Sequence, residues 1–532
     1  MSFTSGLFLI FLLVILILYF LVNKKNQWIV LLIASYIFYL ASGMGMVFFL
    51  LFATLITFFT GIILEKSNNK LKLQLTSSDN SLTKAQKKQY RKENKREKAL
   101  ILIISLILIF GVLGIIKYYN DVALRTTSLL HVFNIELSFP KINILLPLGI
   151  SFFTFQSAGY IIDIHRGKIK ADKNLAKFAL FLSFFPQIVQ GPISRYGQLA
   201  HQLYEPHSFE FKQVKFGFQL ILWGFFKKLV IADRLAIAVN TIFTNFEGFS
   251  GLSIYFGILL FSFQIYCDFS GGMDIARGIA DSMGINLEKN FERPFLSTSI
   301  ENFWRRWHIT LGSWMRDYVF YPVSISKGFL KLGRRSRKLF GNEIGKLIPS
   351  MIAMMITFLL VGIWHGPEWK YIAFGLYHGS LLSIGILVSP LYTNIIEKFK
   401  IKSTGKLWKF ISILWVFFLT TVGRYFVLSD GFRHALWMLR RTISNVNLRF
   451  LTDGTLLKLG LAPEGLILVL IAIAFLITVE IFQERGIRFR KKISELNLVF
   501  RWSIYLIGIF VVLIFGIYGI NYNPSDFIYR MF

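Results

Sequence analysis

Long runs without a single charge alternate with short basic stretches along this chain. Gly6–Val22 is the first such run, and Trp28–Leu64 continues without charge for 37 residues. One crossing of a bilayer takes about 20 residues, so the Ser42-Gly43-Met44-Gly45 break predicts two helices in that stretch. Ala99–Ile116, Ile142–Ile162, Gly248–Cys267, Leu347–Gly366, Tyr371–Ile396 and Trp502–Ser525 are further uncharged runs. Shorter or interrupted ones lie near Phe178–Ser194, Phe216–Ala232, Phe410–Gly423 and Gly465–Val479, making eleven or twelve apolar segments. The pattern predicts an all-α polytopic membrane protein in which Pro186, Pro192 and several glycines permit re-entrant pieces. The parity of the crossings between Lys177 and Lys327 stays open.

Composition agrees with that pattern. Hydrophobic residues make up 54% of the 532 residues and charged residues 17%, against about 25% charged in a soluble domain. The single cysteine, Cys267, excludes an intramolecular disulfide framework and multi-cysteine metal or redox motifs. A net charge of +30, from 59 basic and 29 acidic residues, would suggest nucleic acid in a soluble chain. Here the basic residues sit between the apolar runs, where they set orientation and meet anionic lipid, so no nucleic-acid partner is expected. The basic stretches are Lys24-Lys25, the polar loop Glu65–Lys98, Lys327–Lys346, Lys398–Lys409 and Arg485–Arg501. Placing them all in the cytoplasm puts the N-terminus, the turn at Trp364–Trp369 and the tail Asn521–Phe532 on the outer side. Gly6–Val22 resembles a signal-peptide core but lacks a basic lead and a cleavage site, so it reads as a retained span.

Several enzyme classes drop out, since no phosphate loop, H-E-x-x-H helix or G-x-S-x-G elbow is present. No internal repeat supports a transporter built of repeated halves. Polar residues at membrane depth remain, and those are expensive to hold there. Ser299–Pro322 reads as one helix with an aromatic stripe of Phe303, Trp307, Trp314, Tyr318 and Tyr321. On another face Arg305, His308, Gly312 and Arg316 recur at helical spacing. Guanidinium forks suit phosphate or carboxylate groups; the alternative is an interfacial helix with an aromatic belt and snorkelling arginines. In Gly362–Trp369, His365 sits at a hairpin turn where Pro367 starts the next helix. It is either a general base in an apolar funnel or a helix-end histidine bonded to a carbonyl. In Tyr266–Asp274, Asp268 and Asp274 flank a Gly271-Gly272 break; capping a helix is one role for them and orienting a histidine or arginine another. His378 reads as a packing or hydrogen-bonded residue, and His131, His165, His201, His207 and His434 have no assigned role.

Taken as strings, Y-C-D-F-S-G-G-M-D (Tyr266–Asp274), N-F-E-R-P-F onward through Pro322, and G-I-W-H-G-P-E-W (Gly362–Trp369) resemble the membrane-bound O-acyltransferase family. Ser151–Asp163 and Phe184–Arg195 are similar to its bacterial members, and the likeness runs from about Leu145 to the end. Within the family the chain is similar to the alginate and peptidoglycan O-acetyltransferase branch, related to teichoic acid D-alanyl transferases. The ending Ser525–Phe532 fits that branch, whereas the long basic Glu65–Lys98 insertion departs from both.

The resemblance implies a helical ring around a central tunnel in the plasma membrane of a bacterium. It implies one membrane-embedded domain over 1–532: N-terminal spans in 1–117, a motif-bearing core in 145–425 and C-terminal spans in 426–532. His365 carries over as the catalytic histidine and His308 as the second functional one. Arg305, Arg306, Arg316, Asp317, Trp307, Asn302 and Asp268 are the expected donor-binding or supporting residues, with no metal and no bound cofactor. The implied donor is acetyl-CoA or an acyl carrier protein thioester. The implied acceptor is a hydroxyl of a cell-surface polysaccharide, or a serine of an extracytoplasmic SGNH-type acetyltransferase partner. D-alanyl transfer to teichoic acid and a flippase for a lipid-linked saccharide are the alternatives; a flippase needs the charges at Arg305 and Arg316 but no base at His365.

Overall fold

The structure, a computed structural model, describes residues 1–76, 83–142, 146–399, 403 and 405–518. The tail Asn521–Phe532, and with it the end of the Trp502–Ser525 run, lies outside the described residues. The uncharged runs are helical over most of their described length, as they must be where no water can bond a free amide or carbonyl, although Ile142–Ile162 becomes helical only at Ile150 and Phe178–Ser194 leaves helix after Ile188. Among the described residues no β-strand forms; a single isolated bridge pairs Phe291 with Trp307. Eight described helices are long and apolar enough to cross a membrane: Met46–Thr76, Lys84–Val132, Gly251–Ser282, Ile348–His365, Trp369–Lys398, Lys406–Leu428, Pro463–Glu484 and Leu498–Phe515. The other expected segments are shorter. Gly6–Leu21 and Gln27–Leu40 have 16 and 14 residues, or about 24 and 21 Å at 1.5 Å per residue. Phe178–Ser194 is broken into the helices Leu175–Ser183 and Phe185–Ile188. Exposed Leu, Ile and Phe cover the long helices, with Ile507 and Leu13 both more than half exposed. Such a surface suits lipid and would be an aggregation liability in water.

The chain divides into two compact units, Met1–Phe218 with Ala276–Glu288, and Gln219–Ile275 with Lys289–Phe532. In the first, the Gly43 turn (φ 142°) separates the helices Gln27–Leu40 and Met46–Thr76, as the sequence predicts. Much of the polar segment Glu65–Lys98 is helical. The helix Met46–Thr76 continues through its first third, and Lys84–Val132 opens on a capping box formed by Thr83 and Gln86. Lys, Glu, Gln and Arg are good helix formers, and the two helices are clipped together by polar side chains. The Asn94 amide donates to Ser67 O and Oγ, both at 2.8 Å, and Lys98 Nζ donates to Asn68 Oδ1 at 2.6 Å. His207 also has work here. Its Nδ1 lies 3.0 Å from the Tyr19 hydroxyl, its N–H donates to Gln27 Oε1, and its carbonyl accepts from Gln27 Nε2. Gly149 (φ +68°) lies so close to Ile188 that a Cβ would fall 2.0 Å from the Ile188 carbonyl oxygen.

In the second unit the expected break at Gly271-Gly272 is absent, and Gly251–Ser282 is one helix. The glycine serves close packing, not a turn. A Cβ on Gly271 would come within 2.9 Å of the Gly224 carbonyl, and one on Gly224 within 2.7 Å of the Gly271 carbonyl. Small residues at a crossing let two backbones approach like this. Beside the crossing, Lys228 Nζ lies 2.5 Å from Asp268 Oδ1 and 2.8 Å from Asp233 Oδ1, with Lys228 and Asp268 buried. Lys227 Nζ lies 2.7 Å from Asp274 Oδ2. Asp268 is therefore an ion-pair partner in mid-helix, not a cap.

Candidate active site

His365 ends the helix Ile348–His365, and three residues later Trp369–Lys398 begins. Gly366 and Pro367 make the turn. Neither Pro349 nor Gly362 interrupts the first helix, since Pro349 lies in its opening turn and Gly362 is needed for contact. A Cβ on Gly362 would sit 2.3 Å from the Tyr371 carbonyl oxygen, and one on Gly375 would sit 2.4 Å from that of Phe358. The two backbones thus pack glycine against backbone, and this fixes where the last turn points its imidazole. The His365 ring is partly exposed, with ring centroids 4.7 Å from Trp364, 5.6 Å from Phe374 and 6.1 Å from Tyr371.

The expectation of a single helix over Ser299–Pro322 fails at Trp307–His308. Ile300–Arg306 begins on a Ser299 cap, whose Oγ accepts from the Asn302 N–H, and stops at Trp307 in extended geometry. His308 is left-handed (φ 48°, ψ 54°) and leads into Ile309–Met315. A π-helical turn follows at Arg316–Phe320. The cause of the break is tertiary. Asn290 O accepts from the Ile309 N–H at 3.0 Å, while Asn290 Oδ1 accepts from both the N–H and the hydroxyl of Thr310. Those bonds take the backbone groups that a continuous helix would use. Trp307 stacks on Phe303 at 5.6 Å, which anchors the break from its other side.

The break buries His308, which is 3% exposed, with its ring 4.9 Å from Phe269 and 6.1 Å from Trp364. Enclosed by these rings, the imidazole has two ring nitrogens to offer for hydrogen bonding. The Trp364 indole is therefore in ring contact with both His308 and His365.

The expected arginine face does not form, because the break turns its members apart. Arg305 is largely exposed and pairs with Glu301 at 2.5 Å. Arg306 forks onto Glu484 at 2.9 and 3.1 Å, and Glu484 also accepts from Arg293 Nε at 2.7 Å. Arg316 is exposed and pairs with Asp317 at 3.0 Å. Sequence reasoning missed Arg424. It closes the Phe410–Gly423 run as though the span ended there, yet the helix continues to Leu428 and buries the guanidinium. The signal was a charge within a helical turn of an apolar segment's end. Among the described residues, no three of His, Cys, Asp and Glu gather closely enough to hold a metal ion.

One buried and one half-buried histidine thus flank a single indole in a polytopic helical chain. The profile of MBOAT, the membrane-bound O-acyltransferase family, matches residues 166–337. A probable alginate O-acetylase of Pseudomonas aeruginosa is 34% identical over 402 residues, covering 74% of this chain and 68% of that one. The peptidoglycan O-acetyltransferase of Helicobacter pylori is 32% identical over 352 residues, 60% of this chain and 62% of the relative. The teichoic acid D-alanyltransferase of Bacillus subtilis is 29% identical over 301 residues, 56% and 72% of the two chains. This chain belongs to the membrane-bound O-acyltransferase family. It is a multi-pass bacterial membrane protein and an O-acyltransferase, which sets the flippase reading aside.

Proposed function

We propose that the protein moves an acyl group, acetyl in the first instance, from a cytoplasmic thioester to a hydroxyl of an extracytoplasmic cell-envelope polysaccharide or of a partner protein's serine. The observation that carries this reading is the pair of imidazoles in contact with one indole, Trp364, within one unit. His365, the more accessible of the two, takes the proton of the attacking hydroxyl as its oxygen bonds to the thioester carbonyl carbon. His308 donates a hydrogen bond to the oxyanion that develops there. The carbon–sulfur bond then breaks, the proton passes from His365 to the departing thiolate, and the ester remains on the acceptor. General-base catalysis contributes about 10²–10⁴-fold, and positioning supplies much of the remainder.

For the donor, acetyl-CoA or an acyl carrier protein thioester, Arg316 is the first candidate phosphate contact. It is exposed and paired with its neighbour Asp317, whereas Arg306 is engaged by Glu484. Arg305 is the fallback. Likeness to the alginate and peptidoglycan O-acetyltransferases supports acetyl transfer to a polysaccharide. Likeness to a teichoic acid D-alanyltransferase supports D-alanyl transfer from a carrier-protein thioester as the second reading.

His365→Gln tests the base. Glutamine keeps a hydrogen-bonding end but cannot take the proton, so ester-linked acyl groups on isolated cell-surface polymer should fall about 10²–10⁴-fold at unchanged membrane protein level. Near-parental acylation would remove His365 from that role.

A further inference from the structure

The helix Lys406–Leu428 carries a guanidinium at Arg424 that is 6% exposed. Its Nε has no hydrogen-bond partner, and among the described residues no carboxylate pairs with it. It lies instead over two aromatic faces, 5.2 Å from the centroid of Trp307 and 5.6 Å from that of Phe295. Cation–π contact offsets only part of the cost of taking a guanidinium out of water. Other polar atoms nearby are in the same condition. On the same helix, one turn back, the fully buried Thr421 leaves its Oγ1 without a partner, and across from it so do His378 Nδ1 and Trp304 Nε1. The three elements meet closely here. The Trp304 and His378 rings are 4.9 Å apart, and a Cβ on Gly423, next to Arg424, would lie 2.4 Å from His378 Nε2.

The chemistry of these atoms selects a ligand. Guanidinium and indole N–H groups only donate, while hydroxyl and imidazole can do so as well. A group that answers all four must offer oxygen acceptors and carry negative charge. It should be a monoanion, because other cations on these helices are already engaged: Lys370 by Glu368 at 3.4 Å and the Ser429 carbonyl at 2.8 Å, Arg305 by Glu301 and Arg306 by Glu484. A carboxylate fits, its two oxygens matching a guanidinium fork. The place is next to the chemistry, since Phe374 contacts the His378 ring at 4.7 Å and the His365 ring at 5.6 Å.

We propose that Arg424, Trp304, His378 and Thr421 form a buried carboxylate-binding subsite beside His365. The proposal stands on these donors and not on the acyl-transfer reading, and its test needs no acyl donor. Purified full-length protein in detergent is titrated with glucuronate, acetate and glucose while tryptophan emission is followed, since Trp307 lies against the guanidinium and Trp304 against His378. A saturable response to glucuronate and none to glucose is expected. A response to acetate as well marks a site for any small carboxylate; a response to glucuronate without acetate marks a sugar-borne one. Arg424→Gln should weaken glucuronate binding about 10- to 100-fold, and Arg424→Lys should retain part of it. Equal responses to glucose and glucuronate, no saturable response to either carboxylate, or parental affinity in Arg424→Gln would overturn the subsite. Should Arg424→Gln not accumulate, Trp304→Phe replaces it, because it keeps an aromatic ring and removes the N–H. Weakened glucuronate binding is expected there, and unchanged affinity would overturn the proposal.

Discussion

The two histidines of the site are held by opposite means. His365 ends a regular helix whose position is set by glycine-to-backbone packing along a hairpin, with no unusual torsion at the histidine itself. His308 occupies a left-handed position between two short helices and is held there because Asn290 accepts hydrogen bonds from Ile309 and Thr310. The difference teaches where each imidazole is vulnerable. The first depends on residues that have no side chain, and the second on one amide that has several bonds.

The largest effect should come from filling the hairpin contact. Gly362→Val places carbon 2.3 Å from the Tyr371 carbonyl oxygen, which the backbones cannot absorb without separating. Overpacking of this kind costs about 1–3 kcal/mol or more, and we expect membrane accumulation to fall sharply together with activity. Normal accumulation with normal acylation would show that the hairpin does not position His365.

Asn290→Ala should come next. It strips the acceptor from the N–H and hydroxyl of Thr310, both buried, at about 1–3 kcal/mol for each donor left unmet. The protein should still insert while acylation per molecule drops, and Asn290→Asp, which keeps the acceptor oxygen, should recover much of it. A drop in Asn290→Ala that Asn290→Asp fails to relieve would place the cause elsewhere.

His308→Gly and His308→Ala separate torsion from chemistry. A left-handed non-glycine residue carries about 1–2 kcal/mol of strain, so the glycine variant should melt higher than the alanine one while both lose acylation. Equal melting of the two would mean the left-handed turn is not a source of strain. Arg305→Ala should do least. Its pair with Glu301 is exposed, and such pairs contribute about 0–1 kcal/mol. Unless Arg305 contacts the donor, thermal stability and donor use should both stay near parental, and a marked rise in the donor concentration needed would assign it that contact.

The same contrast explains how much could be read in advance. The His365 hairpin was legible because an uncharged run of the right length ends at a glycine and a proline, and both signals are local. The break at His308 was not, because Trp304–Ile309 has nothing that forbids a helix, and the competing acceptor lies at Asn290, many residues earlier. Asp268 was misplaced for a related reason: a glycine pair reads as a turn until its partner, Gly224, is seen against it. Arg424 was hidden by the boundary it created, since a run counted as uncharged must stop at the first charge. Its burial is a property of packing, which hydropathy along the chain does not encode. The orientation argued from basic stretches stays an inference from charge. A cysteine near Lys331 or Arg490 shielded from an impermeant thiol reagent in intact cells would support it, and labelling there would reverse it.

The helix Lys84–Val132 has 49 residues, which at 1.5 Å each makes a rod of about 74 Å, against a hydrocarbon core of about 30 Å. Its uncharged stretch begins at Ala99, so Lys84 stands about 22 Å further along the axis. Screening in physiological salt sets in over about 8 Å. Lysines at the root of the rod, such as Lys95 and Lys98, therefore answer to the charge of the lipid surface. Lys84 stands nearly three screening lengths out and Lys87 and Lys88 about two, so they answer chiefly to what diffuses past. One continuous helix thus presents a graded run of cations, from Lys84 through Lys88, Arg91 and Lys92 to Lys95 and Lys98, whose hold on the lipid surface weakens outward and whose outer members raised salt should quiet first.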